Sequence, residues 1–333
     1  MSRMARFLGR LFSGQSETGE LLLRAYGKLP MYAEYRRLEV SPGTATTFSQ
    51  WLDDGRLAWI KATVDGVRGA PRGARAVLQW PDSRECVVAN VWDSRDSLGR
   101  TFPFAFFVVC PGEWLGKDWA QRWVTCAAIH AQLDEAHARL GALGMGGDFY
   151  RVYRQQAILA NVADLEQRVE ALRREADGFD LVKWFAAAEL AGQSGGPWFA
   201  GLARRAGQWR SGAAVLGELG VSVPLAAGFS PEAQGVLWLD WLAALAGPAA
   251  RPPSLIGPGA DAAAAAAGRL HVIFRPPLPG DFQLLTEDAA GYGYVDHLAT
   301  VGAGTAANAA GAVVGVAAPA GSLREALTRL TTR

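Results

Sequence analysis

Net charge is almost missing from this 333-residue chain, in which 33 basic side chains face 32 acidic ones for a formal +1. A nucleic-acid partner needs clustered positive charge to displace counterions from phosphates, so this balance argues against one. Cysteine is scarce: Cys86, Cys110 and Cys126 make an odd count of 3, none in a CxxC spacing and each within or beside an apolar run. That excludes a disulfide framework and reads as buried free thiols in a reducing compartment. No stretch approaches the ~18 consecutive apolar residues of a membrane span. The N-terminal arginines are not followed by the apolar region of a secretory signal. A cytoplasmic protein is expected.

Catalytic chemistry finds few supports. Ser194 in Gly192-Gln193-Ser194-Gly195-Gly196 matches G-x-S-x-G literally, but helix-forming residues precede it. A nucleophile elbow needs a strand there, so a Gly/Ser helix terminator is the better reading. Histidine is limited to His130, His137, His271 and His297. The first two are seven positions apart and share a helix face, yet are too distant to chelate as an i, i+4 pair. Gly27-Lys28 lacks the upstream glycine of a phosphate loop, Leu29 stands where Ser or Thr is required, and no strand precedes the glycines of 144–147. The chain is expected to be no enzyme and to hold neither cofactor nor metal.

Apolar residues are abundant: half the chain is hydrophobic, with 12 Trp and 14 Phe, enough for a sizeable core. An apolar run at 21–25 leads into the turn at Tyr26-Gly27-Lys28-Leu29-Pro30, a first strand. Residues 45–61 look helical, interrupted at Asp53-Asp54-Gly55. Strands are expected at 75–80, 86–92 and 104–110, with connections short enough for antiparallel pairing. A helical middle covers 112–195, including a surface helix with one stripe of Val162, Leu165, Val169 and Leu172. Next come a Trp-rich helix at 232–246, a Pro/Gly loop at 248–260, a helix N-capped by Asp261 over six alanines and a strand at 270–274. With no clear βαβ alternation, the expected architecture is α/β: one large domain at 20–295, an α-β-α sandwich around a mixed, mainly antiparallel sheet with extra helices. Residues 296–333 read as a loosely attached Gly/Ala-rich tail.

Residues 1–19 form a separate lead. Met4, Phe7, Leu8, Leu11 and Phe12 make one helical stripe, Arg3, Arg6 and Arg10 lie off it, and a Gly/Ser joint follows. Such a segment either caps the protein's own core or lies on an anionic surface such as the inner face of the inner membrane.

Two constellations remain. The first is Tyr26-Gly27-Lys28-Leu29-Pro30 with Glu34-Tyr35, followed by Phe48-x-x-Trp51-Leu52; the second is Ser94-Arg95-Asp96-Ser97-Leu98-Gly99-Arg100-Thr101-Phe102-Pro103. In the second, Asp96 can accept backbone N–H bonds across its turn and Gly99 permits positive φ. Arg100 offers a planar fork to a carboxylate, Asp96 or Glu34. Phe102-Pro103 anchors the next strand. Either the two loops form a self-stabilising buried knot or they present a partner-binding turn.

These blocks resemble the TagF (ImpM) proteins of bacterial type VI secretion, which carry Y-G-K-L-P…G-D-F, W-x-x-W-L and S-x-D-x-x-G-R-x-[FY]-P. The chain retains Tyr26, Gly27, Lys28, Leu29 and Pro30, then Trp51-Leu52, then Ser94, Asp96, Gly99, Arg100, Phe102 and Pro103. Pro253-Ser254-Leu255 and Leu278-Pro279-x-x-Phe282 echo later family features, so the resemblance runs over about 20–290 and is dense in 24–110. It departs where Ala33-Glu34-Tyr35 replaces G-D-F and where Phe48 replaces the first Trp. The resemblance implies an α-β-α fold and a non-catalytic cytoplasmic repressor, acting through the forkhead-associated scaffold protein of the secretion system.

Overall fold

A computed structural model describes residues 19–62, 72–143, 148–188, 220–247, 250–259, 268–286, 296–297, 322, 324–325 and 327–328. All but the last residue of the 1–19 lead, the glycines of 144–147, Ser194 with its flanking glycines, the alanine run after Asp261 and most of 296–333 lie outside the described residues.

The chain opens with β1 (Glu20–Leu21), β2 (Arg24–Gly27) and β3 (Arg36–Leu38), then helix α1 (Thr44–Ala62). Strands β4 (Arg72–Gln79), β5 (Glu85–Trp92) and β6 (Phe104–Pro111) follow, with one 3-10 turn at Gly112–Leu115. The helical middle contains α2 (Trp119–Gly141), α3 (Phe149–Gln155), the short β7 (Ile158–Leu159), α4 (Leu165–Asp177) and α5 (Leu181–Ala187). The last part holds β8 (Gly220–Pro224), α6 (Pro231–Ala246), β9 (Ser254–Gly257), β10 (Arg269–Ile273), a 3-10 helix at Pro279–Leu285, and β11 (Asp296–His297).

Nine strands join in the order β11-β8-β10-β9-β4-β5-β6-β2-β3. Every neighbouring pair is antiparallel except β11 with β8. The sheet is covered on both faces, which explains why its central strands are continuous apolar runs. Along β5, Cys86 and Val88 enter one core while Val87, Ala89 and Val91 enter the other; along β6, Phe104, Phe106 and Val108 alternate in the same way with Ala105 and Phe107. The first core is closed by α2 to α6 and the second by α1 and the 3-10 helix at Pro279–Leu285. The fold is the expected mixed α/β arrangement, a mainly antiparallel sheet packed by helices.

Several elements differ from expectation. Helix α1 runs unbroken through Gly55. That glycine marks close packing: a Cβ there would lie 2.5 Å from Phe282 Cβ. The Pro/Gly stretch at 248–260 contains β9, a central strand of only four residues between β4 and β10. Strands β3 and β8 also form where the sequence pattern marked none. Parts of the segment read as a loose tail pack on the body: Leu327 is buried, and its carbonyl accepts the Trp241 indole N–H at 3.1 Å.

Among the described residues no helix is long and apolar enough to cross a membrane. Cys86, Cys110 and Cys126 are free and buried.

Candidate functional site

The two motif blocks meet at one carboxylate. Strand β2 pairs with β6, so the loop leaving β2 lies beside the loop entering β6. Lys28 Nζ approaches Asp96 Oδ2 at 2.8 Å, both side chains buried. Arg100 Nε reaches the same oxygen at 2.7 Å. The other oxygen, Oδ1, accepts the backbone N–H of Leu98 at 3.0 Å and of Arg100 at 2.9 Å. The backbone closes around it through Asp96 N–H to Arg100 O, Gly99 N–H to Asp96 O and Phe102 N–H to Ser94 O. Gly99 has φ +80, as the turn requires.

Burial alone would push the Asp96 carboxyl up. Hydrogen bonds from Lys28, from the Arg100 backbone and guanidinium and from Leu98 outweigh it and hold the group well below the usual carboxylate range. With four donors on two oxygens, Asp96 is saturated and has no free lone pair for acid–base work. Arg100 chooses Asp96 over the alternative acid: Glu34 is 4.0 Å away, and both of those side chains are exposed. The Arg100 guanidinium also donates to Ala33 O, and Ser97 N–H donates to Tyr32 O at 3.0 Å. Both contacts tie the second loop to the first.

An aromatic group sits against this node. Tyr35 packs edge-on to Phe102 with ring centres 4.9 Å apart, and Tyr26 meets both rings at 6.0 Å. Lys28 Nζ lies 5.1 Å from the Tyr35 ring centre. The Tyr26 hydroxyl donates to Asp53 of α1 at 2.7 Å, and Arg37 approaches that hydroxyl at 3.4 Å. Burial pushes the Tyr26 phenol up to about 12, opposed by Arg37 and helped by Asp53.

Leu29 is buried, whereas Pro30 and Ser97 are exposed and Ser94 is half-buried. Trp51 lies apart from the node, in the second core: its indole N–H donates to Leu278 O at 2.7 Å and its ring faces Phe282. The late echo Leu278-Pro279-x-x-Phe282 therefore packs on the W-L helix. Pro253-Ser254-Leu255 lies at the start of β9, where Ser254 Oγ accepts the Gln79 N–H at 3.0 Å. Asp53, Arg37 and Arg56 join the site without having been singled out; Arg56 donates to Thr101 Oγ1 at 3.1 Å. Asp53, beside Trp51-Leu52, and Arg37, two positions after Tyr35, each have a neighbouring motif; Arg56 has none.

The outer surface of the node is mixed. Leu98 is 68% exposed and Tyr35 41% exposed, with the exposed Arg95, Arg100 and Glu34 around them. The buried side ties the two loops together; the exposed side presents Leu98 and Tyr35 among charged side chains of both signs. Among the described residues no group of three His, Cys, Asp or Glu side chains is placed to hold a metal ion.

No family model matches the chain, and no curated protein matches it in sequence. Among solved structures, the crystal structure of PA0076 from Pseudomonas aeruginosa PAO1 is similar to it at 16% identity, over 45% of this chain and 76% of that one, with a TM-score of 0.28. That likeness is too slight to carry any residue's role across.

Proposed function

We propose that this chain is a non-catalytic interaction protein of the TagF kind, which restrains bacterial type VI secretion in the cytoplasm by binding the system's forkhead-associated scaffold protein. The observation that supports this reading is the shared node. Residues of both motif blocks that carry the resemblance, Lys28 from one and Asp96 and Arg100 from the other, converge on a single carboxylate. A saturated acid beneath an exposed Leu98 and Tyr35 suits presentation of a fixed surface rather than turnover.

The test is deletion in the native host together with affinity purification and mass spectrometry. Secretion should rise on deletion, and the forkhead-associated protein should be recovered with the full chain. Neither effect appearing would overturn the reading. An Arg100→Ala variant run in parallel separates roles: loss of partner with an unchanged melting curve assigns the loop to binding, whereas unfolding assigns it to the fold. A second reading, peripheral membrane attachment, rests on the apolar stripe and arginines of the 1–19 lead. Equal liposome co-sedimentation with and without that segment would reject it.

A further inference from the structure

Asn90 is fully buried in β5, and its surroundings fix which way its amide points. Its Nδ2 donates to His130 O at 3.0 Å and to Asp134 Oδ1 at 2.6 Å, both on α2. A carbonyl and a carboxylate only accept, so the reversed amide would set oxygen against oxygen twice. Asn90 Oδ1 therefore faces His130 Nδ1, 2.5 Å away, and that contact requires the ring proton on Nδ1. Arg75 Nη2 holds the far oxygen of Asp134 at 2.8 Å, which fixes the carboxylate. Burial, helped by the Arg75 charge, lowers the His130 pKa well below its ordinary value and keeps the ring neutral. A neutral imidazole protonated at Nδ1 carries a bare lone pair on Nε2.

This ring lines a cavity of about 280 Å³ between β4, β9, α2 and the start of α6. That is about twice the ~150 Å³ of an apolar cavity that takes up benzene, and near the lower end of small-molecule pockets, roughly 300–1,000 Å³. Val77, Leu225, Leu255 and Trp123 supply apolar walls. Both charged residues on the lining are ion-paired, Arg75 through Nη2 with Asp134 while its Nε–H has no hydrogen-bond partner, and Glu232 with Arg168 at 2.8 Å. The Trp123 indole N–H is already used on Glu232 O at 3.0 Å, which fixes that ring against the cavity. No uncompensated charge favours an ionic ligand, while the ring nitrogen favours a hydrogen-bond donor.

We propose that this cavity is a binding site for a small neutral aromatic molecule carrying one O–H or N–H donor, which donates to His130 Nε2 while its ring packs between Trp123 and the aliphatic wall. The site is separate from the Asp96 node and does not depend on the function proposed for it.

Phenol and toluene are suitable probes, similar in size and differing in the donor. Titration of the full chain, followed by 15N resonances of the histidine rings and by backbone amide shifts, should show saturable phenol binding at least tenfold tighter than toluene. The His130 Nε2 resonance should move with phenol only. His130→Phe should make the two probes equal. Ala127→Phe, which fills the cavity from α2 without touching the Asn90 network, should abolish phenol binding with an unchanged circular-dichroism melt. If His130→Phe fails to fold, the Ala127→Phe variant decides. Absence of saturable phenol shifts, equal affinities in the wild type, or undiminished phenol binding by folded Ala127→Phe would each overturn the proposal.

Discussion

A Cβ placed on Gly27 would lie 2.1 Å from the carbonyl oxygen of Pro103 and 2.8 Å from Phe104 Cα. Gly27 and Pro103 belong to the two motif blocks, joined where β2 pairs with β6. With φ +127, Gly27 also holds a backbone conformation that side chains rarely adopt. Gly27→Ala must separate two backbones, at a cost of about 3 kcal/mol or more. Gly99 offers the control: its φ is +80, but nothing lies within 4 Å of a Cβ there. Gly99→Ala should cost only about 1 kcal/mol, the left-handed backbone term alone. Urea denaturation midpoints of the two variants check the difference.

Asp96 predicts an acid-sensitive fold. Its folded carboxyl is held below the ordinary range, chiefly by Lys28 and Arg100 acting against burial. The contribution is therefore fully present above the unfolded value of about 3.9 and is lost as pH falls through the folded value. Asp96→Asn should lower the urea midpoint at neutral pH, because it leaves the buried Lys28 ammonium without its carboxylate. The gap between wild type and variant should narrow as pH falls below about 4. A gap independent of pH would show that the carboxylate charge is not what holds the loops.

How much of this is legible in the sequence follows from what each residue has to satisfy. The strands β4 to β6 stood out because their apolar runs are long and their connections short. The Asp96 turn was readable because an acid, a glycine and an arginine at those spacings satisfy one another locally. The Lys28 contact spans 68 positions, and no local pattern encodes it. At Gly55 the sequence is ambiguous, because a glycine that interrupts a helix and one that admits a neighbouring side chain look alike. Strand β9 was hidden by its length, four residues framed by Pro253 and Pro258 leaving no alternation to detect. The role of Trp51 was hidden for the same reason as Lys28: its carbonyl partner on Leu278 is 227 positions away.

Tyr26 predicts the opposite limb of the pH profile. Burial leads the rise of its phenol to about 12, with Arg37 opposing and Asp53 adding to it. The unfolded phenol ionises at about 10. Between those values the unfolded chain releases a proton that the folded chain keeps, so stability is intact below about 10 and declines as pH rises toward the folded value. Tyr26→Phe should flatten that alkaline decline while losing the hydrogen bond to Asp53, about 1–3 kcal/mol at neutral pH. Denaturation midpoints between pH 9 and 11 check the slope.

Gly235 sets two effects of opposite sign against each other. It lies within α6, where alanine in place of glycine favours a helix by about 1 kcal/mol. A Cβ there would, however, lie 2.2 Å from Trp123 Cε2, and that indole is pinned by its bond to Glu232 O. Overpacking against an indole held by that bond costs about 1–3 kcal/mol, so the clash wins and Gly235→Ala destabilises the wild type. In a Trp123→Leu background the obstruction is gone and only the helix term remains. The same substitution should then turn neutral or stabilising, by up to about 1 kcal/mol. A double-mutant cycle on urea denaturation reads this reversal directly. Additive effects would mean that α6 and α2 shift apart to admit the methyl group, and that the close approach of Gly235 to Trp123 does not fix the spacing of the two helices.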